Sequence, residues 1–425
     1  MFNPFAGNYD NDIRFSQNAV IVKCDVRANF VILSLTPINN NMEIVRQTTA
    51  SRRKTTNQVT ITATTGHQET YDLIVFCHLR WQFVYQRPQH IISRLAKSMK
   101  ILMIEEPIGF SEDQKNTAER LEISENLHVL QPRVENIAAI KNVIPQFVAN
   151  RHVEMGWFYS ASFVPLLDEF RFDTVVYDCM DELTQFRGAP AELIVQEKFL
   201  LAQADIVFTG GKSLYEAKKK QHPNVFCFPS SVDREHFAKA MNGVAIPEDI
   251  ANIPHPIVGY YGVIDERIDL DLIRGTADRN PDVQFVMIGP IAKISDEDLP
   301  KAENIHYLGM RPYNMLPNYL KAFSVAMMPF ALNEATEFIS PTKTLEYMAA
   351  GKCIISTPIR DVVRDYKHCV SIVETPDEFS EAVQFILENP HDLSLECEYD
   401  EILEKTSWNN TVNKMQFLIS KTAKA

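Results

Sequence analysis

At 425 residues the chain is longer than one hydrophobic core usually serves, so two domains are expected. Hydrophobic residues at 45% and charged residues at 23% fit a soluble globular protein, while a net charge of −13 excludes nucleic acid as the main partner, because phosphate backbones need a basic surface. The seven cysteines show no disulfide framework or zinc spacing, and no run nears the roughly 20 apolar residues of a membrane span, so a cytoplasmic protein touching at most a membrane surface is expected.

Residues 1–69 read as a small β-rich or partly disordered N-terminal extension, with strand patterns at 19–26, 30–35 and 59–64 separated by polar stretches. Its first residues, MFNPFAGNYDND, lack a charged-then-apolar signal pattern. From residue 70 the rhythm becomes strand, loop, helix. Strands are predicted at 72–78, 100–107, 127–130, 173–178, 205–209 and 225–228, with helices at 87–100 and 190–204. This alternation predicts a parallel, doubly wound sheet spanning 70–245. A second series covers 246–405, with strands at 257–262, 283–289, 305–309, 324–330 and 352–357, and an amphipathic helix closes the chain within 406–425. Two Rossmann-like α/β domains facing a cleft follow, with ligands beyond the carboxyl ends of the strands.

The segment 338–358, FISPTKTLEYMAAGKCIISTP, joins a polar loop to a short helix and then to a buried strand. Ser340, Thr342 and Lys343 precede the helix, where unpaired N–H groups and a lysine charge suit phosphate. Glu346, one turn further in, can accept both hydroxyls of a ribose. The alternative is an ordinary βα unit with Lys343 and Glu346 as a solvated helix pair.

This segment resembles the donor-binding segment of GT-B glycosyltransferases, particularly the family-four (glycosyl transferases group 1) type, in which a Glu at the position of Glu346 holds the ribose. FCHLRWQFVYQRPQHIISRLA (76–96), VVYDCMDEL (175–183), ADIVFTGGKSLYEAKKKQHPNVFCFPSSVDREHF (204–237) and GYYGVIDERIDLDLI (259–273) extend the resemblance over roughly 71–420 and look like a bacterial subgroup associated with cell-surface polysaccharide synthesis. The resemblance implies a donor-binding second domain, an acceptor-side first domain, and a last helix that crosses back to the first domain. One register departs: the family usually has a further Glu eight residues before the ribose-binding one, and Phe338 stands there. Nearby Glu334 is the substitute candidate for a sugar contact, with a solvated loop carboxylate as the alternative.

Gly262, ending the first strand of the second domain, allows a ligand close to the backbone. Arg267 falls where the family places a basic residue on the donor diphosphate; the alternative is an ion pair with Glu266 or Asp269. Arg267 and Lys343 together would stabilise a departing diphosphate without a metal. The D-x-D spacings at 269–271 and 296–298 fall in helical or surface stretches and give no metal site, and no cofactor is implied. In the first domain, His78, Arg80, Trp81 and Arg87 belong to a loop that should line the cleft and hold the acceptor; the alternative is that the loop's aromatics pack between the domains. Asp178 and Asp181 are candidates for activating an acceptor hydroxyl; the alternatives are that Asp178 caps or braces the strand end, and that in a retaining transfer the departing phosphate oxygen takes the proton and no protein base is needed. Gly210-Gly211-Lys212-Ser213 lacks P-loop spacing and reads as the turn opening a helix at the cleft. Helix 88–100 with Lys218–Lys220 could form a basic edge for anionic lipid; the alternative is a half-buried Rossmann helix with a solvated face.

The function expected is transfer of a sugar from a UDP- or GDP-linked donor to a saccharide or lipid-linked acceptor, in capsule, exopolysaccharide or lipopolysaccharide synthesis, at the inner face of the cell membrane. Two alternatives stand beside it. A sugar-nucleotide epimerase of the same fold would turn over donor without acceptor, and a non-catalytic nucleotide-sugar binding or scaffold protein would bind without transfer.

Overall fold

The computed structural model describes residues 68–389 and 393–422, with four short strands between residues 13 and 46. Those strands, β1 (Ile13–Ser16), β2 (Ala19–Val22), β3 (Ile32–Ile38) and β4 (Asn41–Arg46), form an antiparallel sheet in sequence order. The strands expected at 19–26 and 30–35 overlap β2 and β3; that expected at 59–64 lies outside the described residues.

A second sheet has eight strands: β5 (Leu73–Cys77), β6 (Ile101–Glu105), β7 (Thr117–Ser124), β8 (Leu127–Arg133), β9 (His152–Phe158), β10 (Arg171–Cys179), β11 (Ile206–Thr209) and β12 (Val225–Cys227). Their order is β12-β11-β10-β9-β5-β6-β8-β7, and every pairing is parallel except that of edge strand β7. Strands β5 and β6 are buried along their whole length, as strands of a parallel sheet covered on both faces are, and apart from Glu105 at the end of β6 they are apolar throughout. Strands β7 and β9 escape the apolar-run signal because they carry charges; Glu119 of β7, for example, pairs with Arg133 of β8 at 2.7 Å.

The third sheet comprises β13 (Ile257–Tyr261), β14 (Gln284–Ile288), β15 (Ile305–Tyr307), β16 (Val325–Met328), β17 (Ile354–Ser356) and β18 (Ser371–Ile372). All pairings are parallel in the order β15-β14-β13-β16-β17-β18, so the strand order reverses between β13 and β16. In the eight-stranded sheet the reversal falls between β9 and β5. A crevice at the carboxyl ends opens beside each reversal, which puts the segments after β5 and β13 at the ligand-binding positions of the two sheets.

The helix predicted at 87–100 ends at Leu95. Lys97 and Ser98 donate to carbonyls only three residues back, tightening the chain, and Asp72 accepts the Lys100 N–H at 2.7 Å to start the next strand. The core of the six-stranded sheet runs from Val232 to Leu403. The final helix, Trp408–Thr422, instead buries Trp408, Val412, Met415 and Ile419 against Leu73, Val75 and Ile91 of the first-domain sheet layer. The chain therefore crosses between the two α/β layers twice, near 228–232 and 403–408.

Candidate functional site

Two adjoining cavities lie between the sheets. One, of about 120 Å³, has Arg87, Asp181 and Ser230 on the first-domain side and Gly262, Arg267 and Lys343 on the other. The second, of about 40 Å³, lies among Tyr85, Tyr313, Gly289 and Glu346. Val84, Gly262 and Lys343 line both, so the cavities meet at the end of β13.

Bare backbone forms this meeting point. Gly262 and Gly289, just past β13 and β14, have φ of +150° and +155°, outside the range comfortable for other residues. A methyl on Gly289 would overlap the Gly262 carbonyl, and one on Gly262 would lie 2.5 Å from the Tyr260 hydroxyl. Neither position accepts a side chain, and the cleft floor stays open to a ligand's approach.

The Lys343–Ala349 helix delivers two of the expected donor residues. Lys343 borders both cavities; its ammonium lies 5.5 Å from the Tyr261 ring centroid, and no carboxylate among the described residues is within ion-pair distance. Glu346 is 4% exposed and accepts a 2.6 Å hydrogen bond from the Tyr261 hydroxyl. Burial raises its pKa, opposed by Lys343 and by that hydrogen bond. Ser340 lines the larger cavity, and Thr342 donates to Ser230 Oγ at 2.9 Å, tying the two domains together there.

Arg267 also faces the larger cavity, but its ion-pair partner is neither Glu266 nor Asp269. It grips Asp265 in a bidentate pair, with contacts of 2.9 and 2.8 Å. Glu266 pairs with Lys293 at 3.3 Å, and Asp269 caps the Leu270–Arg279 helix by accepting from Leu272 N at 2.8 Å. In the other D-x-D, Asp298 accepts from Ser295 N and Oγ. The one grouping of His, Cys and carboxylate among the described residues that could hold a metal, His368, Cys369 and Glu398, has no member in the cleft lining.

On the first-domain side the expected residues separate. Asp181 borders the larger cavity with no hydrogen bond to its carboxylate among the described residues; burial raises its pKa, opposed by Arg267 and Arg87. Asp178 is fully buried and holds Arg87 through contacts of 2.8, 3.1 and 3.2 Å, while Arg87 Nη1 donates to the Phe228 carbonyl at 2.6 Å. That pairing corrects the expectation of Asp178 as a proton acceptor: its oxygens brace Arg87 instead of facing an acceptor. Arg87, although on the cavity wall, has most of its donors committed. Arg80 is likewise occupied, by Glu105 Oε2 at 3.2 Å and the Glu106 and Pro107 carbonyls. Trp81, half-buried, packs on the core beneath the loop and donates its backbone N–H to Glu105. His78 follows β5; burial, with Lys293 nearby, pushes its pKa down to about 4, and Nδ1 is buried with no hydrogen-bond partner. Glu334 is exposed and outside the lining of both cavities, and Phe338 packs onto the first-domain core.

Asp361 is the residue sequence reasoning missed most completely. The Lys212–Lys218 helix begins at Gly211, which has no side chain to cap it. Asp361, from the other domain, accepts from Lys212 N at 2.8 Å, Ser213 N at 3.1 Å and Ser213 Oγ at 2.5 Å. The Gly-Gly-Lys-Ser turn thus closes on a protein carboxylate. The basic edge is thinned, not removed: Lys218 is buried between Glu182 and Glu197, at 2.7 and 2.6 Å, and Arg94 is held by Asp233 at 2.6 Å, while Lys97, Lys219 and Lys220 stay exposed.

Residues 267–389 match the family model described as glycosyl transferases group 1. A Bacillus subtilis (strain 168) protein bearing the name "Putative teichuronic acid biosynthesis glycosyltransferase TuaH" is 24% identical over 226 residues, 47% of this chain and 54% of that protein. The chain thus spans about half the length of this curated relative. Among solved structures, sucrose-phosphate synthase from Thermosynechococcus elongatus matches with a TM-score of 0.62 at 14% identity, over 82% of this chain and 98% of that one. Anabaena HepE, solved in complex with UDP and glucose, matches at 0.59 and 10% identity, over 82% and 99%. At such identities the likeness is one of fold, and the fold is GT-B: two Rossmann-like domains facing a cleft.

Proposed function

Starting from a GT-B chain whose second domain matches the group 1 glycosyl transferases, we propose that this protein moves a sugar from a nucleotide diphosphate sugar to a saccharide or lipid-linked acceptor in polysaccharide synthesis. The observation that carries the reading is Lys343 at the junction of two cavities, with glycine backbone on one side of it and buried Glu346 on the other. Glu346 would take the ribose diol of a UDP- or GDP-linked donor. The diphosphate would lie along Gly262, Ser340 and Thr342, with Lys343 and Arg267 offsetting the charge that develops as it leaves.

In the transfer, the bond from the anomeric carbon to the diphosphate oxygen breaks and a bond from the same carbon to the acceptor oxygen forms. The acceptor oxygen attacks from the face that the diphosphate leaves, so configuration is retained, and its proton passes to the departing phosphate oxygen without need of a metal. Asp181 orients the acceptor hydroxyl. Cavities of 120 and 40 Å³ fall well below the roughly 300–1,000 Å³ of small-molecule pockets, so donor enters when the domains part and reacts when they close. A lipid-linked acceptor would place the enzyme at the inner face of the membrane.

Titration calorimetry with UDP, GDP and their sugars, on wild type and Glu346→Ala, tests the donor site: selective binding weakened by the substitution is expected. Transfer should survive EDTA. Donor turnover without acceptor would mark an epimerase, binding without turnover a scaffold, and no nucleotide binding by a folded sample would overturn the reading.

A further inference from the structure

The two crossings between the domains border a groove of about 800 Å³, outside the proposed donor site but sharing Ser230 with its wall. Phe226, Phe228, Ile402 and Leu418 give the groove an apolar floor. Its charged lining is Lys212, Lys405, Lys414 and Asp365, three cations to one anion in a chain whose net charge is −13. Lys212 is paired with Asp365, whereas Lys405 and Lys414 have no carboxylate partner among the described residues.

The final helix continues this pattern beyond the groove. Lys414, Phe417 and Lys421 are spaced three and four residues apart and share one helix face. Phe417 is 57% exposed, and the Lys421 ammonium lies 4.4 Å from its ring centroid. The opposite side of the same helix is buried through Trp408, Val412, Met415 and Ile419, so the helix is fixed in place and its outer face is a rigid surface. Glu401 and Glu404 sit on the neighbouring Leu393–Lys405 helix but outside the groove lining, which keeps the positive patch local.

We propose that this groove and the Lys414–Phe417–Lys421 face dock on an anionic phospholipid surface. An aromatic ring bracketed by two ammonium groups, next to an apolar trough rimmed by further lysines, complements a lipid interface: phosphates meet the lysines, while the ring and trough take the carbon just below the headgroups. Along the expected lipid-facing edge at 88–100 and 218–220, Lys218, Arg94 and Lys100 are consumed in ion pairs, which leaves Lys97, Lys219 and Lys220 exposed there. The inference deepens the lipid-linked acceptor reading by giving such an acceptor a surface to come from.

Vesicle co-sedimentation of the full chain, without donor or acceptor, tests it. The protein is expected to bind phosphatidylglycerol–phosphatidylcholine vesicles at low salt and not phosphatidylcholine alone. The Lys414→Glu/Lys421→Glu double variant should lose at least about thirtyfold in partition, and Phe417→Ser should also weaken it, with melting temperatures unchanged because all three side chains are exposed. Absence of binding to anionic vesicles, equal binding to both vesicle types, or variants that bind like wild type would overturn the proposal. Donor affinity measured by calorimetry is a separate readout, so failure here leaves the donor-site reading standing.

Discussion

Tyr261 donates its hydroxyl to Glu346 Oε2 at 2.6 Å, and both side chains are buried. The contact fixes one carboxylate oxygen and leaves Glu346 on the wall of the smaller cavity, where a ribose diol would meet it. Hydrogen bonds to a charged group contribute about 1.5–3 kcal/mol, so Glu346→Ala should weaken nucleotide binding by about ten- to a hundredfold. Tyr261→Phe, which frees the carboxylate without deleting it, should cost less. Calorimetric dissociation constants for both variants check the order.

Asp361 supplies the start of the Lys212–Lys218 helix with acceptors that Gly211 cannot provide. Asp361→Ala would leave two backbone N–H groups and the buried Ser213 hydroxyl without their partner, a loss of about 1–3 kcal/mol. Asp361→Asn keeps one acceptor oxygen and should fall between. Urea denaturation followed by tryptophan fluorescence reads the difference. Because the contact joins the domains, limited proteolysis near 229–231 should also quicken in Asp361→Ala.

The two aspartates of the YDCMDEL segment should part company under substitution. Asp178→Ala strands the Arg87 guanidinium, which is 5% exposed, and breaking a buried pair in this way costs about 3–5 kcal/mol. Asp181→Asn should leave stability nearly unchanged, leave donor affinity intact and lower kcat/KM by about ten- to a hundredfold through lost acceptor orientation. A loss nearer the upper end of general-base catalysis, about 10⁴-fold, would instead make Asp181 the proton acceptor and point to inversion.

What the sequence made legible follows from what is local. Largely apolar runs marked β5, β6, β13 and β14, because a strand buried on both faces is apolar along most of its length. The 338–358 segment carried its own chemistry in order, so Lys343 and Glu346 could be named as a pair. Side-chain pairing across the chain has no such trace. Asp178 and Asp181 look alike three residues apart, and only Arg87, 91 positions away, decides that one is a brace. Asp361 stands 148 positions from Ser213, so nothing near either residue announces the cap. Phe338 stands in register where the resemblance expects a Glu facing the donor sugar, whereas in space it packs, half-buried, against the first-domain core.

His78 gives the clearest dependence on pH. Burial, with Lys293 nearby, pushes its pKa down to about 4, so the folded protein keeps the imidazole neutral where the unfolded chain, at about 6.5, takes up a proton. Its contribution to stability is therefore complete above pH 6.5 and falls as the pH drops toward 4, by at most about 3 kcal/mol. Asp181 and Glu346 act in the opposite sense: their pKa values are raised by burial, so acid relieves the cost of their buried charge. The whole-protein curve mixes these effects, and comparison with His78→Gln isolates the histidine. The stability difference between wild type and His78→Gln, from urea denaturation, should shift in favour of the variant between pH 7.5 and pH 5. A difference that stays constant over that range would mean the imidazole titrates in the folded protein as it does in the unfolded chain, and that the His78 pocket admits water freely.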